Sequence, residues 1–279
     1  MRETLPPLRM APLKAQPFIK VPEVTVAFWI VKLLTTAMGE STSDYLVYHI
    51  NPYVAVVAGG VGLVVALILQ FAVRRYIPWV YWLAVIMVAI FGTMAADVLH
   101  VVLGVPYLDS TIGFAITLAV VFILWYVSEK TLSIHSIFTP RREVFYWATV
   151  MATFALGTAT GDLTAATLGL GYFASGVVFA ILFALPYAGY RLFGLNAIFA
   201  FWFAYIMTRP FGASFADYFG KPVLGGLGLG DEIVVVVLTA LIIVGVAYMT
   251  LTQKEAPVPV DPWYADAADA RSNGQWPGA

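Results

Sequence analysis

Four aspartates recur at one position of a short pattern that the chain repeats four times. Each copy has a Trp, a Gly ten residues later and an Asp five residues after that Gly. The members are Trp29, Trp82, Trp147 and Trp202; Gly39, Gly92, Gly157 and Gly212; and Asp44, Asp97, Asp162 and Asp217. Carboxylates held at one depth form a set of hard oxygen ligands, which suits protons or cations such as Mg²⁺, Mn²⁺ and Ca²⁺.

Three charged residues break this fourfold pattern. Glu40 follows the first Gly directly, where the other copies have Thr93, Thr158 and Ala213. Lys32 is likewise specific to the first copy, and Arg209 to the fourth. Residues that depart from a repeat are candidates for specificity. We therefore assign Glu40, Lys32 and Arg209, together with the four Asp, to a substrate or ion pathway, and the five acids to a metal site.

Each signal also has a purely structural interpretation. Trp commonly anchors a helix at a membrane interface or packs between repeats, and Gly lets helices approach closely. The Asp residues could cap loops or hydrogen-bond between repeats, and the two cations could pair with the acids in a satisfied network with no ion bound. His49 and His100 follow Asp44 and Asp97 in the sequence. Each histidine could be a metal ligand, a proton carrier or a solvated loop residue.

Helical geometry places the polar residues of the first copy on one face. At about 100° per residue, Trp29, Lys32, Gly39, Glu40 and Asp44 fall within an arc of about 140°. Trp and Asp are separated by about 22 Å along the helix axis. A polar stripe on a membrane helix faces protein or water and not lipid.

The elements that carry these residues are membrane helices. The chain has 279 residues, of which 61% are hydrophobic and 11% charged. A soluble domain is about 25% charged, so we predict an all-α polytopic membrane protein. Eight transmembrane helices are expected at roughly 24–46, 53–73, 79–102, 111–128, 143–166, 170–190, 195–218 and 231–251.

The four copies predict four two-helix repeats, each a motif helix followed by a plain apolar helix. We expect repeats at 21–78, 79–142, 143–194 and 195–254, flanked by cytoplasmic tails at 1–20 and 255–279. An even number of helices per repeat gives parallel repeats. One set of flanks holds almost all Lys and Arg, and the opposite loops hold only Lys221. Both termini are therefore expected in the cytoplasm, and the chain in the cell membrane, which is the inner membrane in a Gram-negative host.

The four two-helix copies resemble a bacterial integral membrane family built from a tandem repeat of unknown function. Its members usually carry the label "uncharacterised membrane-anchored protein". The resemblance covers roughly residues 21–254. It implies the architecture and brings no activity with it.

Composition and motifs exclude several function classes. The net charge of −1 argues against nucleic acid as a partner. The chain has no cysteine, which excludes disulfides and thiolate metal sites. We find no nucleophile elbow, dinucleotide fingerprint or His-Glu metal helix motif, so no enzyme activity is expected.

Two functions remain as hypotheses. The first is a transporter or channel for a cation, such as a divalent metal or one coupled to protons, with the bilayer and a small ion or molecule as partners. The second is a structural or regulatory membrane protein with a satisfied polar core. A bound divalent cation and a homo-oligomer are open alternatives.

Overall fold

The computed structural model describes residues 19–252, which form eight long α-helices and no strands. These helices are α1 (Val26–His49), α2 (Pro52–Ala72), α3 (Pro78–Asp97), α4 (Tyr107–Glu129), α5 (Pro140–Asp162), α6 (Gly171–Phe193), α7 (Ala197–Gly220) and α8 (Asp231–Thr252). Short π-helical segments continue two of them, Val98–Val102 after α3 and Leu163–Thr167 after α5. The all-α prediction with eight helices is confirmed for this part of the chain.

Local signals explain where several helices begin. The side chain of Thr25 accepts a hydrogen bond from the backbone N–H of Phe28, and Asn51 and Asn196 cap α2 and α7 in the same way. A capping oxygen satisfies one of the N–H groups that a helix start leaves unpaired. Thr139 and Pro140 start α5 three residues before the expected position. The expected tails lie outside the described residues, apart from Ile19 and Lys20.

The four motif helices form a closed inner ring. Helix α1 packs against α3, α3 against α5, α5 against α7, and α7 returns to α1. The other four helices lie outside the ring. Each packs mainly on the motif helix of the following copy, so α2 lies on α3, α4 on α5, α6 on α7 and α8 on α1.

Each motif glycine lies in close contact with the next motif helix of the ring. It lies against the residue three positions before the glycine of the next motif helix. The pairs are Gly39 with Ala89, Gly92 with Phe154, Gly157 with Arg209 and Gly212 with Thr36. A β-carbon at any of these glycines would overlap its partner. The spacing of the motif therefore sets the contacts that close the ring.

Five helices within the described residues are long and apolar enough to cross a membrane. They are Pro52–Ala72, Pro78–His100, Tyr107–Glu129, Gly171–Phe193 and Asp231–Thr252. This supports a multi-pass membrane protein. The remaining three, α1, α5 and α7, carry the polar stripe inside the bundle, and their passage across the membrane stays a prediction.

Candidate functional site: a charged axis inside the helix ring

Arg209 joins all four motif helices at the centre of the ring. Its Nη2 donates to Glu40 Oε2 on α1, to Thr93 Oγ1 on α3 and to Thr158 Oγ1 on α5, the last at 2.7 Å. Only 1% of the Arg209 side chain and 4% of the Glu40 side chain are exposed. A buried ion pair with added hydrogen bonds is the arrangement that makes such burial tolerable.

The repeat explains why these side chains meet. Glu40, Thr93, Thr158 and Ala213 each directly follow their motif glycine, and all four are buried. Ala213 is too small to reach the axis. Arg209 lies one helical turn earlier on the same helix, and its long side chain fills the place that Ala213 leaves. Its Nε and Nη1 have no hydrogen-bond partner among residues 19–252.

Lys32 is buried without a carboxylate partner in the described chain. Its ammonium lies 4.1 Å from the centre of the Phe154 ring and 4.3 Å from that of Tyr205. Lysine over an aromatic face is stabilised by the negative potential of the ring. Glu40 and Lys32 thus do not pair with each other, and each finds its contacts on other helices.

Aromatic side chains close the ring at its Trp end. The residue before each motif Trp is aromatic, and Phe28, Tyr81 and Tyr146 are fully buried. The hydroxyls of Tyr81 and Tyr146 hydrogen-bond to each other at 2.5 Å. Of the motif tryptophans, Trp82, Trp147 and Trp202 are buried and Trp29 is half-buried. They pack between helices, which is one of the two roles expected for them.

The opposite end of the ring, here called the acidic end, carries the four motif aspartates. Two of them share a lysine. Lys221 Nζ lies 2.7 Å from Asp44 Oδ2 and 2.9 Å from Asp217 Oδ1. Burial would lower the pKa of Lys221, but the carboxylates of Asp217 and Asp44 raise it well above its ordinary value. The ammonium is therefore charged throughout the physiological pH range.

The other two aspartates face a histidine. Asp97 and Asp162 end α3 and α5, where each helix continues as a π-helical turn. The turn after α3 carries His100, whose Nδ1 lies 4.0 Å from Asp162 Oδ2. No Lys or Arg of residues 19–252 forms an ion pair with Asp97 or Asp162.

The residues proposed as metal ligands thus fall into two groups. Glu40, Asp44 and Asp217 have carboxylate oxygens within 4.8 Å of one another, and so do the ligand atoms of Asp97, His100 and Asp162. Asp44, Asp97 and Asp162 are partly exposed, whereas Glu40 and Asp217 are buried. The single carboxylate set expected from the repeat is thus two sets, each spanning two neighbouring motif helices.

Two site residues were not assigned from the sequence. The charge pattern identifies Lys221 only as the cation of the opposite loops, although its position four residues after Asp217 puts both on one helix face. His100 was not distinguished from His49, which is exposed and whose Nδ1 lies 2.8 Å from the carbonyl oxygen of Tyr45. What distinguishes His100 in the structure is its contact with Ser110 on α4, whose Oγ lies 2.6 Å from His100 Nε2.

Comparison with known families matches four tandem segments of the chain. They cover residues 27–76, 80–131, 145–193 and 200–255. Each segment contains one motif helix and the helix that follows it. Comparison with curated proteins and with solved structures gave no significant match. The four segments together cover most of the sequence, and the chain belongs to the family described as Repeat of Unknown Function (DUF347).

Proposed function

We propose that the protein is an integral membrane transporter or channel for a cation, namely a divalent metal such as Mn²⁺. The ion would pass along the axis of the helix ring. One observation carries the proposal: all four repeats place a carboxylate at the acidic end of the ring, and Glu40 adds one at the centre. Ionisable residues inside a membrane protein are costly to bury and commonly mark ion pathways.

The charges of this axis favour a cation. Glu40 is paired with Arg209, and Asp44 and Asp217 share Lys221. The two remaining motif aspartates have no Lys or Arg partner in residues 19–252, so the acidic end holds more carboxyl groups than cationic side chains. A cleft lined by charge of one sign raises the local concentration of the opposite ion.

The Arg209–Glu40 pair would act as a gate in this scheme. Three of the four aspartates are partly exposed, whereas Arg209 and Glu40 are buried at the centre. The aromatic layer containing Tyr81 and Tyr146 closes the axis beyond them. The acidic end would therefore admit an ion, and passage would require Arg209 to release Glu40. Proton coupling through the carboxylates is a variant of the same mechanism.

The membrane arrangement belongs to the same proposal. We place all eight helices across the cell membrane as four parallel repeats, with both termini in the cytoplasm. The contacts between each motif glycine and the next motif helix recur four times around the ring, which supports parallel repeats. The acidic end then faces away from the cytoplasm, because the Lys- and Arg-rich flanks lie at the other end.

The alternative is a structural or regulatory membrane protein. The observation that favours it is the centre of the ring, where Glu40 and Arg209 are paired and nearly inaccessible. In that case the polar axis would only fix how the helices associate, and no ion would cross.

Flux through proteoliposomes separates the two functions. Purified protein would be reconstituted into vesicles that contain a dye sensitive to the ion under test, and Mn²⁺, Mg²⁺, Ca²⁺ and H⁺ would be tested in turn. We expect a cation flux that falls at least tenfold in Glu40→Gln and in Asp44→Asn. Asp109→Asn is the matched control, because Asp109 is an exposed acid on α4. Absence of flux, or equal flux in all variants, would favour the regulatory alternative.

A further inference from the structure

The two aspartate pairs at the acidic end differ in what neutralises them. Lys221 lies between Asp44 and Asp217. Asp97 and Asp162 lie on the neighbouring motif helices α3 and α5, and no Lys or Arg in the described residues reaches either of them. Two carboxylates close together in a partly buried site repel each other unless a proton or a cation lies between them.

His100 is held beside this pair by residues of α4. Its ring packs edge-on against Tyr107, with the ring centres 4.4 Å apart. Its Nε2 lies 2.6 Å from Ser110 Oγ. The Ser110 hydroxyl proton is directed to a backbone carbonyl, that of Tyr107 at 3.0 Å or that of Pro106 at 3.3 Å. With the hydroxyl proton placed there, we assign Ser110 Oγ as the acceptor and His100 Nε2–H as the donor of their 2.6 Å contact.

This hydrogen bond determines the state of the other ring nitrogen. A neutral imidazole with its proton on Nε2 has a lone pair on Nδ1. Nδ1 has no hydrogen-bond partner among the described residues, and only 3% of the His100 side chain is exposed. It points towards Asp162 Oδ2 at 4.0 Å. A lone pair facing a carboxylate is unfavourable, and a positive ion between the two would make both contacts favourable.

Asp97, His100 and Asp162 are spaced slightly more widely than the ligands of a bound metal ion, so an ion would draw them together. Their ligand atoms lie within 4.8 Å of one another. Metal–ligand bonds of about 2.0–2.2 Å place neighbouring ligand atoms roughly 3 Å apart, so binding requires movements of about 1 Å. Asp162 keeps 23% of its side chain exposed, which leaves room for water to complete the coordination. The bond from His100 to Ser110 is the outer-shell contact that usually orients a ligating histidine.

We infer that Asp97, Asp162 and His100 Nδ1 form a binding site for a divalent transition metal. Imidazole nitrogen is a ligand for Mn²⁺, Fe²⁺, Co²⁺ and Zn²⁺, whereas Mg²⁺ and Ca²⁺ prefer oxygen ligands alone. The inference deepens the proposed function and rests on it for its role, which is to select transition metals from other divalent cations at the acidic end. The other carboxylate set, Glu40, Asp44 and Asp217, contains oxygen ligands only.

Metal binding to the purified protein tests the site without any transport assay. We expect Co²⁺ and Mn²⁺ to bind by calorimetry, with affinity at least tenfold lower in His100→Gln and in Asp162→Asn. Ser110→Ala should weaken binding by roughly 10-fold, in line with other outer-shell contacts. His49→Gln is the matched control, because His49 is exposed and belongs to neither carboxylate set. It should bind as the wild type does.

Spectroscopy on Mn²⁺-loaded protein tests the site even if the variants at His100 or Asp162 fail to fold. The chain has three histidines, His49, His100 and His135. A nitrogen coupling in the electron spin echo of bound Mn²⁺ should be present in the wild type and retained in the double variant His49→Gln/His135→Gln. Loss of the coupling in that double variant would overturn the assignment, as would its absence from the wild type.

The outcomes separate this inference from the proposed function. Cation flux with no transition-metal binding, or with unchanged binding in His100→Gln, would refute the site and leave transport standing. Binding that depends on His100 in a protein without flux would confirm the site and refute transport. Equal affinity for Mg²⁺ and Mn²⁺ would refute the selectivity assigned to His100.

Discussion

Removal of Arg209 should show how strongly the charged centre holds the ring together. In Arg209→Met, Glu40 keeps one hydrogen bond within the described chain, from Thr93 Oγ1 at 3.4 Å. A buried carboxylate that loses its cation destabilises a protein by about 3–5 kcal/mol. Glu40→Gln leaves the guanidinium with the two threonine hydroxyls, and we expect a loss of about 2–4 kcal/mol.

The double variant Arg209→Met/Glu40→Gln removes both charges. No uncompensated charge is then buried, so its loss should be smaller than the sum of the single losses. We expect a coupling of about 2–3 kcal/mol, the upper part of the range for residues in direct contact.

Equilibrium unfolding in mixed detergent micelles, followed by Trp fluorescence, measures these free energies. Arg191→Met serves as the control, because Arg191 is exposed at the end of α6. It should change stability by less than about 0.5 kcal/mol. Additive losses in the double variant, to within about 0.5 kcal/mol, would refute the pairing of Glu40 with Arg209.

Two further predictions concern the ring and its acidic end. Gly39→Ala places a methyl group against Ala89, whose Cα would lie 3.1 Å away. This variant should lower the free energy of unfolding by about 1–3 kcal/mol. In the control Gly113→Ala the methyl group meets nothing within 4 Å, so stability should be unchanged or increased. Equal melting temperatures would refute the close approach. Lys221→Gln vacates the position between Asp44 and Asp217. Mg²⁺ at ten times its Kd for the variant should then stabilise the variant by about 1.4 kcal/mol, which raises its melting temperature by roughly 3 °C. The same Mg²⁺ concentration should stabilise the wild type much less. A similar shift in both would mean that Lys221 does not compete with cations there.

The repeat made the helices and the main contacts of the ring predictable. Trp, Gly and Asp at fixed spacing indicated four equivalent helices, and the replacement of Thr93 and Thr158 by Glu40 singled out the central position. The close approach expected at the motif glycines is seen at all four.

The partition of the aspartates could not be read from the same pattern. Helical periodicity shows which residues share a face, but not which neighbouring helix that face meets. The pairing of Asp44 with Asp217 depends on α1 closing onto α7, a contact between the two ends of the sequence. The position of His100 depends on a π-helical turn, in which the residues shift away from the 3.6-residue register.

The same limit applies to the outer helices. A short loop favours packing of α2 beside α1, yet α2 packs mainly against α3. Each of the other outer helices likewise packs mainly on the motif helix of the following copy. The composition of these uniformly apolar helices does not indicate which motif helix each of them packs against.

This arrangement has a consequence for biosynthesis. Every outer helix packs mainly on the motif helix of another repeat, and the helix that packs on α1 is α8 of the fourth repeat. A chain of three repeats therefore lacks both α7, which meets the polar face of α1, and α8, which packs on its outer side. The packing of α8 on α1 is equivalent to that of α2 on α3, so no repeat is structurally the first in the ring.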